Sequence, residues 1–409
     1  MTKTTGTCFM ADSTLDFECA MGNCEDSCCR NTGWNIRIDA ETYAKYKEIG
    51  GETGQHILDA IEVEKSPETG TNYKLKIFEH GHCPLLTPEG MCLIHRDLGP
   101  EYLCHTCMSY PQVYTSFNDA ADHWLSLSCP EAVRHTLFRN KRITFAEIPV
   151  NFRLQISAAK PFESERDKLR RFLIEVAQQG NISVKEKLTY MGMFLRSASR
   201  FPLDRNFGIT IDGAINMYRD NILKKGSLDS LMKDMGAMHP DNRKEFFKVL
   251  TTVASACAIP PRKLPEGIEN TQYYDQMAEF YNDVKSEAAN DYLVDTFDRL
   301  IVPYVNANSH IFENYLSYSV LSTQFINDVA KSEDFSAAFA GFAGEFLAML
   351  AFTAGLFRNN ETLTDDDLVI AIYLYHRKIS HNKKLREHLS QAFTDDIFNF
   401  MLGALGGIK

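Results

Sequence analysis

Over most of its length the chain has almost no cysteine: the 280 residues after Cys129 hold only Cys257, and the other ten of eleven lie before that point. Use as a small core hydrophobe would scatter cysteine along the whole chain, so that use is excluded as the main one. Basic charge is also in deficit. There are 43 Lys+Arg against 54 Asp+Glu, a net charge of −11, which excludes a binder that works by neutralising phosphates, so no nucleic-acid partner is expected. Met1–Asp16 has neither a basic region followed by an apolar run nor a small-residue cleavage site. The expectation is therefore a cytoplasmic protein with reduced thiols. No repeat of fixed period and no low-complexity segment is present. One long apolar stretch, Phe335–Phe357, has Glu345 as its only charge. It is rich in Ala, Gly and Phe and has no flanking basic cluster, so a closely packed buried helix is expected rather than a membrane span.

What is present falls into two parts. Residues 1–148 carry 13 Lys+Arg and 21 Asp+Glu, so −8 of the net charge lies there, with all the clustered cysteines. Short elements and turns alternate in this part. Trp34–Asp39 and Tyr73–Phe78 alternate like strands, Glu41–Ile49 and Gln55–Glu64 have helical spacing, and Cys83-Pro84 and Thr87-Pro88-Glu89-Gly90 are loop signals. From Pro149 long helical windows follow: Phe162–Gln179, Val184–Ala198, Asn242–Ala258, Gln272–Leu300, Ser309–Lys331, Phe335–Phe357 and Thr364–Lys378. The expected fold is mainly α: a small irregular α+β cysteine-rich domain over 1–148, then an all-α helical domain over 149–409.

Thiolates are the strongest soft-metal ligands in proteins, so the cysteine clusters point to a metal site. The first is Cys19-x4-Cys24-x3-Cys28-Cys29, followed by Cys83 and Cys92, Cys104 and Cys107, and Cys129. Neighbouring side chains such as Cys28 and Cys29 rarely serve one tetrahedral zinc. They can serve different metal ions, or different corners of a polynuclear cluster. Only Cys104-His105-Thr106-Cys107 has the spacing of a zinc knuckle, and its potential partners do not match it. The CxxxCxxC triplet of radical enzymes is missing, because Asn31 stands where its third cysteine would be. Iron–sulfur clusters take sets of four cysteines from scattered segments, and this chain has enough for more than two sets. Structural zinc remains the alternative. His80, His82, His95 and His105 interleave with the thiols and could complete a shell, or could be ordinary loop histidines.

The runs Phe17-Glu18-Cys19, Cys24-Glu25-Asp26-Ser27-Cys28-Cys29, Cys83-Pro84-Leu85-Leu86, Cys107-Met108-Ser109-Tyr110-Pro111 and Leu127-Ser128-Cys129-Pro130-Glu131 resemble those of the flagellin lysine-N-methylase family. The likeness extends to Arg153–Ser157, Phe162–Arg166 and Phe312-Glu313-Asn314-Tyr315-Leu316, and so spans nearly the whole chain. The resemblance matches Cys19, Cys24, Cys28, Cys29, Cys83, Cys92, Cys107 and Cys129 as metal ligands. It leaves Cys8, Cys104 and Cys257 unassigned, and Gln112 stands where the family favours Arg. It implies methylation of flagellin lysines with S-adenosylmethionine as methyl donor and a [4Fe–4S] cluster held by some of these cysteines, with flagellin as partner and no membrane.

Such a reaction needs a neutral lysine amine aligned with the methyl carbon and the sulfonium sulfur. Tyr110, Glu313, Asn314 and Tyr315 are the candidate helpers. Tyr110-Pro111 could equally shape a turn, and Glu313 and Asn314 could satisfy a buried polar network. No glycine-rich loop follows a first strand, so the donor site is not located by the sequence. The rival functions are a metal-stapled adaptor that binds an export substrate or chaperone, and a redox or metal-delivery protein.

Overall fold

A computed structural model describes residues 4–30, 36–66, 70–77, 82–117, 120–152, 163–199, 211–222, 273–283, 289–322, 335–379 and a few single positions. The expected helix Asn242–Ala258 with Cys257, the segment Arg153–Ser157 and His80 lie outside the described residues, apart from Phe247.

The front of the chain builds two sheets. Strand β1 (Thr4–Ala11) is followed by β2 (Arg37–Ile38), β3 (Ile61–Ser66) and β4 (Gly70–Leu75), and then by β5 (Gln112–Phe117), β6 (Ala120–Leu125) and β7 (Phe145–Phe152). The larger sheet has the order β5-β6-β1-β7, with β1 parallel to β6 and antiparallel to β7. The smaller is antiparallel, in the order β2-β4-β3. Residues Ile61–Glu64, expected to continue a helix, instead form most of β3. The sequence Ile-Glu-Val-Glu alternates with period two, and pairing with β4 decides the ambiguity.

Between β2 and β3 the chain makes two helices, Ala40–Ile49 and Gly51–Asp59. Asp39 caps the first: its carboxylate accepts from the Thr42 N–H at 2.8 Å and from the Thr42 hydroxyl at 2.7 Å. The joint needs φ values of +63° at Gly50 and +62° at Gly51, which glycine adopts without steric cost.

The remaining described elements are helical, as the mainly α expectation holds. They include Glu163–Ala177, Val184–Ser199, Ser309–Ser322, Phe335–Leu356 and Asp365–Ile379. The expected window Gln272–Leu300 divides into Tyr274–Asp283, Ala289–Thr296 and a π turn at Phe297–Ile301. Phe335–Leu356 is long and apolar enough to cross a membrane, but it is buried at the centre of the main core. Its small residues let neighbouring rings approach. A Cβ on Gly355 would stand 2.2 Å from Phe280, and one on Gly192 2.3 Å from Phe339. Asp365–Ile379 begins with a capping exchange: the Thr364 N–H donates to Asp367 at 3.0 Å, and the Asp367 N–H donates to Thr364 at 3.2 Å. Three aspartates in its first turn and Arg377 and Lys378 in its last complement the helix dipole.

Strand β7 runs through position 148, the expected end of the front part, and pairs along the whole of β1. Trp124, Leu127, Val133, Leu137 and Ile143 join the same apolar core as the helices. Helix Ser309–Ser322 knits the parts together. The Tyr318 hydroxyl donates to the Leu125 carbonyl at 2.8 Å and accepts from the Leu125 N–H at 2.5 Å.

Candidate metal centre

Cys19, Cys24, Cys28 and Cys29 lie on the irregular segment after β1, and Cys83 and Cys92 flank a tight loop closed by a bridge between Leu86 and Cys92. Three cysteines use one local device. Cys92 precedes helix Leu93–Asp97, Cys104 precedes His105–Ser109, and Cys129 precedes Pro130–Leu137, each as the N-cap residue. There the first-turn backbone N–H groups draw the three thiols towards ionisation, against burial, without a formed side-chain cap hydrogen bond. Cys19 accepts from the Met21 N–H at 3.4 Å. Such N–H···S bonds favour thiolate over thiol and tune the potential of any iron the sulfur binds.

All of these segments close on one cavity of about 260 Å³. Its wall carries the eight cysteines matched by the family resemblance and also Cys104, which the resemblance left out. The C-x-x-C spacing of Cys104 and Cys107 was the signal that could have found it. Cys8 is elsewhere, buried on β1 beside Met10 and Ala121, where burial and then Asp122 push its thiol up to about 11. All ten described cysteines are free thiols.

Buried thiols resist ionisation, and the cavity shows it. Burial raises Cys24, Cys92 and Cys129, the last to about 12. Cys29 goes the other way: hydrogen bonds from the Cys28 and Cys83 thiols hold it well below the ordinary thiol value. Cys104 is lowered too, first by the Cys107 thiol. Among the described residues no three Cys, His, Asp or Glu side chains converge as a single ion requires. Nine thiols gathered around one mainly apolar cavity fit a polynuclear iron–sulfur group in their chemistry. Of the described candidate histidines, His82, His95 and His105, only His95 reaches the wall.

Beyond the sulfurs, the wall includes Met21, Met91, Ile36 and Ile38, with Asp26, Tyr110 and Arg377. Arg377 arrives from helix Asp365–Ile379 and is anchored on all sides. Its Nη1 donates to Asp26 Oδ2 at 2.6 Å, Nη2 to the Asp26 carbonyl at 2.9 Å, and Nε to the Ser128 carbonyl at 3.0 Å. Burial works against its charge, but Asp26 outweighs it and the guanidinium stays protonated. Nearby, Arg134 bridges Glu25 at 2.8 Å and Asp366 at 2.6 Å. Sequence reading did not single out Arg377 or Asp26 for the site, because no spacing rule links positions so far apart.

The four candidate helpers separate. Tyr110 is in the wall, just before a cis peptide bond to Pro111, with its hydroxyl 3.2 Å from Ser128 Oγ. Burial first, then the charge of Cys129, raise its pKa well above the usual phenol value, so it is a neutral donor rather than a base. The other three stand on helix Ser309–Ser322, outside the cavity wall. Glu313 pairs with Lys187 Nζ at 2.6 Å and Arg142 Nε at 3.4 Å. Asn314 donates to the carbonyls of Leu137 at 3.1 Å and Lys141 at 3.3 Å and accepts from the Ile143 N–H at 3.1 Å. Tyr315 meets His376 Nε2 at 3.1 Å, one residue before Arg377.

Comparison with known proteins adds a family. The model of the FliB lysine N-methylase C-terminal domain matches residues 170–405. A Lysine-N-methylase of Salmonella typhimurium is 22% identical over 390 residues, covering 93% of this chain and 94% of that protein. One of Salmonella choleraesuis is 22% identical over 393 residues, with the same coverage. The flagellar biosynthetic protein FliU of Salmonella muenchen is 32% identical over 123 residues, 30% of this chain and 71% of its own length. No solved structure matches the chain.

Proposed function

The chain belongs to the FliB lysine N-methylase family, and on that premise we propose that it methylates lysine side chains of flagellin in the cytoplasm. In this reading S-adenosylmethionine is the methyl donor and the cavity thiols hold a [4Fe–4S] cluster. The observation that carries the cluster is the convergence of nine thiols from four separate segments on one cavity. Membership of the family and likeness along 93% of the chain support the lysine chemistry.

When bound, the cluster supplies electrons or an open iron corner to the site. The transfer itself balances simply. The lysine nitrogen lone pair forms the new N–C bond, the methyl–sulfur bond breaks with its electrons going to sulfur, and the ammonium loses a proton to solvent or a base. The apolar cavity wall favours the uncharged amine, because burial lowers a lysine pKa. Tyr110 keeps its proton and so donates a hydrogen bond. Arg377 and Asp26 cancel each other's charge at the wall and hold the Cys24–Cys28 segment in place.

Intact-mass analysis of flagellin from cells with and without this gene tests the reading. Gains of one methyl mass per step that require S-adenosylmethionine support it. Unchanged lysine masses, with flagellin bound all the same, overturn it in favour of the metal-stapled adaptor.

A further inference from the structure

The nine thiols of the cavity divide into two groups that meet at one point in the chain. Cys29, Cys83, Cys92, Cys104 and Cys107 sit in the apolar core of the small sheet and its helices, with Ile36, Ile38 and Leu85. Cys129 belongs to a different apolar cluster, with Leu125, Ala132, Phe17 and Tyr110. The neighbours follow the same division. The thiol partner of Cys104 is Cys107, and Cys83 donates to Cys29, whose carbonyl also accepts from the Cys83 N–H at 2.7 Å. The charges nearest Cys129 are Cys24 and Cys19, and Cys28 feels Cys129 and Cys19. Cys28 and Cys29, adjacent in sequence and in sulfur contact, are the seam.

We propose that the cavity holds two thiolate-bound metal centres: an outer one on Cys19, Cys24, Cys28 and Cys129, and an inner one on Cys29, Cys83, Cys92, Cys104 and Cys107. The outer set supplies the four donors one cluster needs, and the inner supplies four with one to spare. Cys19 is exposed, so the outer centre faces solvent and substrate. The inner centre replaces part of the small domain's hydrophobic core and is structural. Each thiol that binds releases its proton to solvent. Adjacent cysteines then bind different centres, which explains why Cys28 and Cys29 stand side by side. The division rests on the cluster reading above and goes further, by assigning Cys104 and by requiring a second metal.

Iron, sulfide and zinc per chain, measured on the full-length protein purified without oxygen, test it, together with electron paramagnetic resonance of the reduced protein. The expected content is about eight irons. The double variant Cys83→Ser with Cys92→Ser should lose the inner metal and keep the outer signal. Cys24→Ser with Cys129→Ser should do the reverse. A single centre in the wild-type protein, abolished alike by both double variants, overturns the two-centre inference and leaves the cluster reading standing. A folded protein that methylates lysine without iron overturns the cluster reading itself. The wild-type count settles the inference even where a variant fails to fold.

Discussion

The interior around Cys83 and the interior around Leu347 are both shut off from water, yet they are made of different material. The first packs sulfur with Ile36, Ile38, Tyr46 and Leu85 between thin strands and one-turn helices. The second is a continuous mass of rings and methyl groups, in which helix Phe335–Leu356 is surrounded by its neighbours. Apolar burial at roughly 25 cal/mol per Å² suffices to hold the second. It does not suffice for the first, where buried thiols contribute little until a metal joins them. On the proposed cluster reading, the small-sheet interior depends on its ligand and the helical interior does not.

Stripping the metal with chelator or oxygen should break this comparison open, and it is the largest expected effect. The charge-transfer colour and the packing around Tyr46 and Tyr110 should be lost while most helical circular dichroism persists. Loss of the helices at the same midpoint would mean that the two interiors form one cooperative unit. Next comes Arg377→Met, which leaves Asp26 buried without its partner. The expected cost is about 3–5 kcal/mol, read as a lower melting temperature of the front part together with a fall in bound metal. The smallest effect lies in the helical interior. His376 is buried and its pKa is depressed to about 3 from 6.5. Its neutral form is favoured by folding, so the associated stability is complete above pH 6.5 and declines as the pH falls towards 3. Acidification from pH 6.5 to 5 should cost about 2 kcal/mol, and His376→Gln should flatten that slope in a pH series of melts.

The two interiors were unequally legible. The helices of the second were readable because three-and-four spacing is local, as at Leu169, Phe172, Leu173 and Val176. The eight matched cysteines of the cavity wall stood out by their clustering and by the family resemblance. Cys104 was in view but had no matching knuckle, and only folding shows that it faces the same cavity as Cys107. The pairing of β1 with β7, and the still longer reach from Asp26 to Arg377, leave no periodic trace. Glu313, Asn314 and Tyr315 stood out as polar residues in an apolar helix. Their hydrogen bonds to Lys187, to the 137–143 backbone and to His376 show buried polar satisfaction at work, the simpler of the two readings the residues allowed.

Helix Asp365–Ile379 supplies the arginine that clamps Asp26, and Asp366 at its start shares Arg134 with Glu25. The amino-terminal thiols leave the ribosome hundreds of residues before that clamp can exist. They must then wait, unclosed and exposed to adventitious metals or oxidants, until synthesis is nearly finished. On the proposed cluster reading, filling of the outer thiols follows release of the chain, and a nascent chain stalled before Asp365 should carry no stable metal at Cys24 and Cys28.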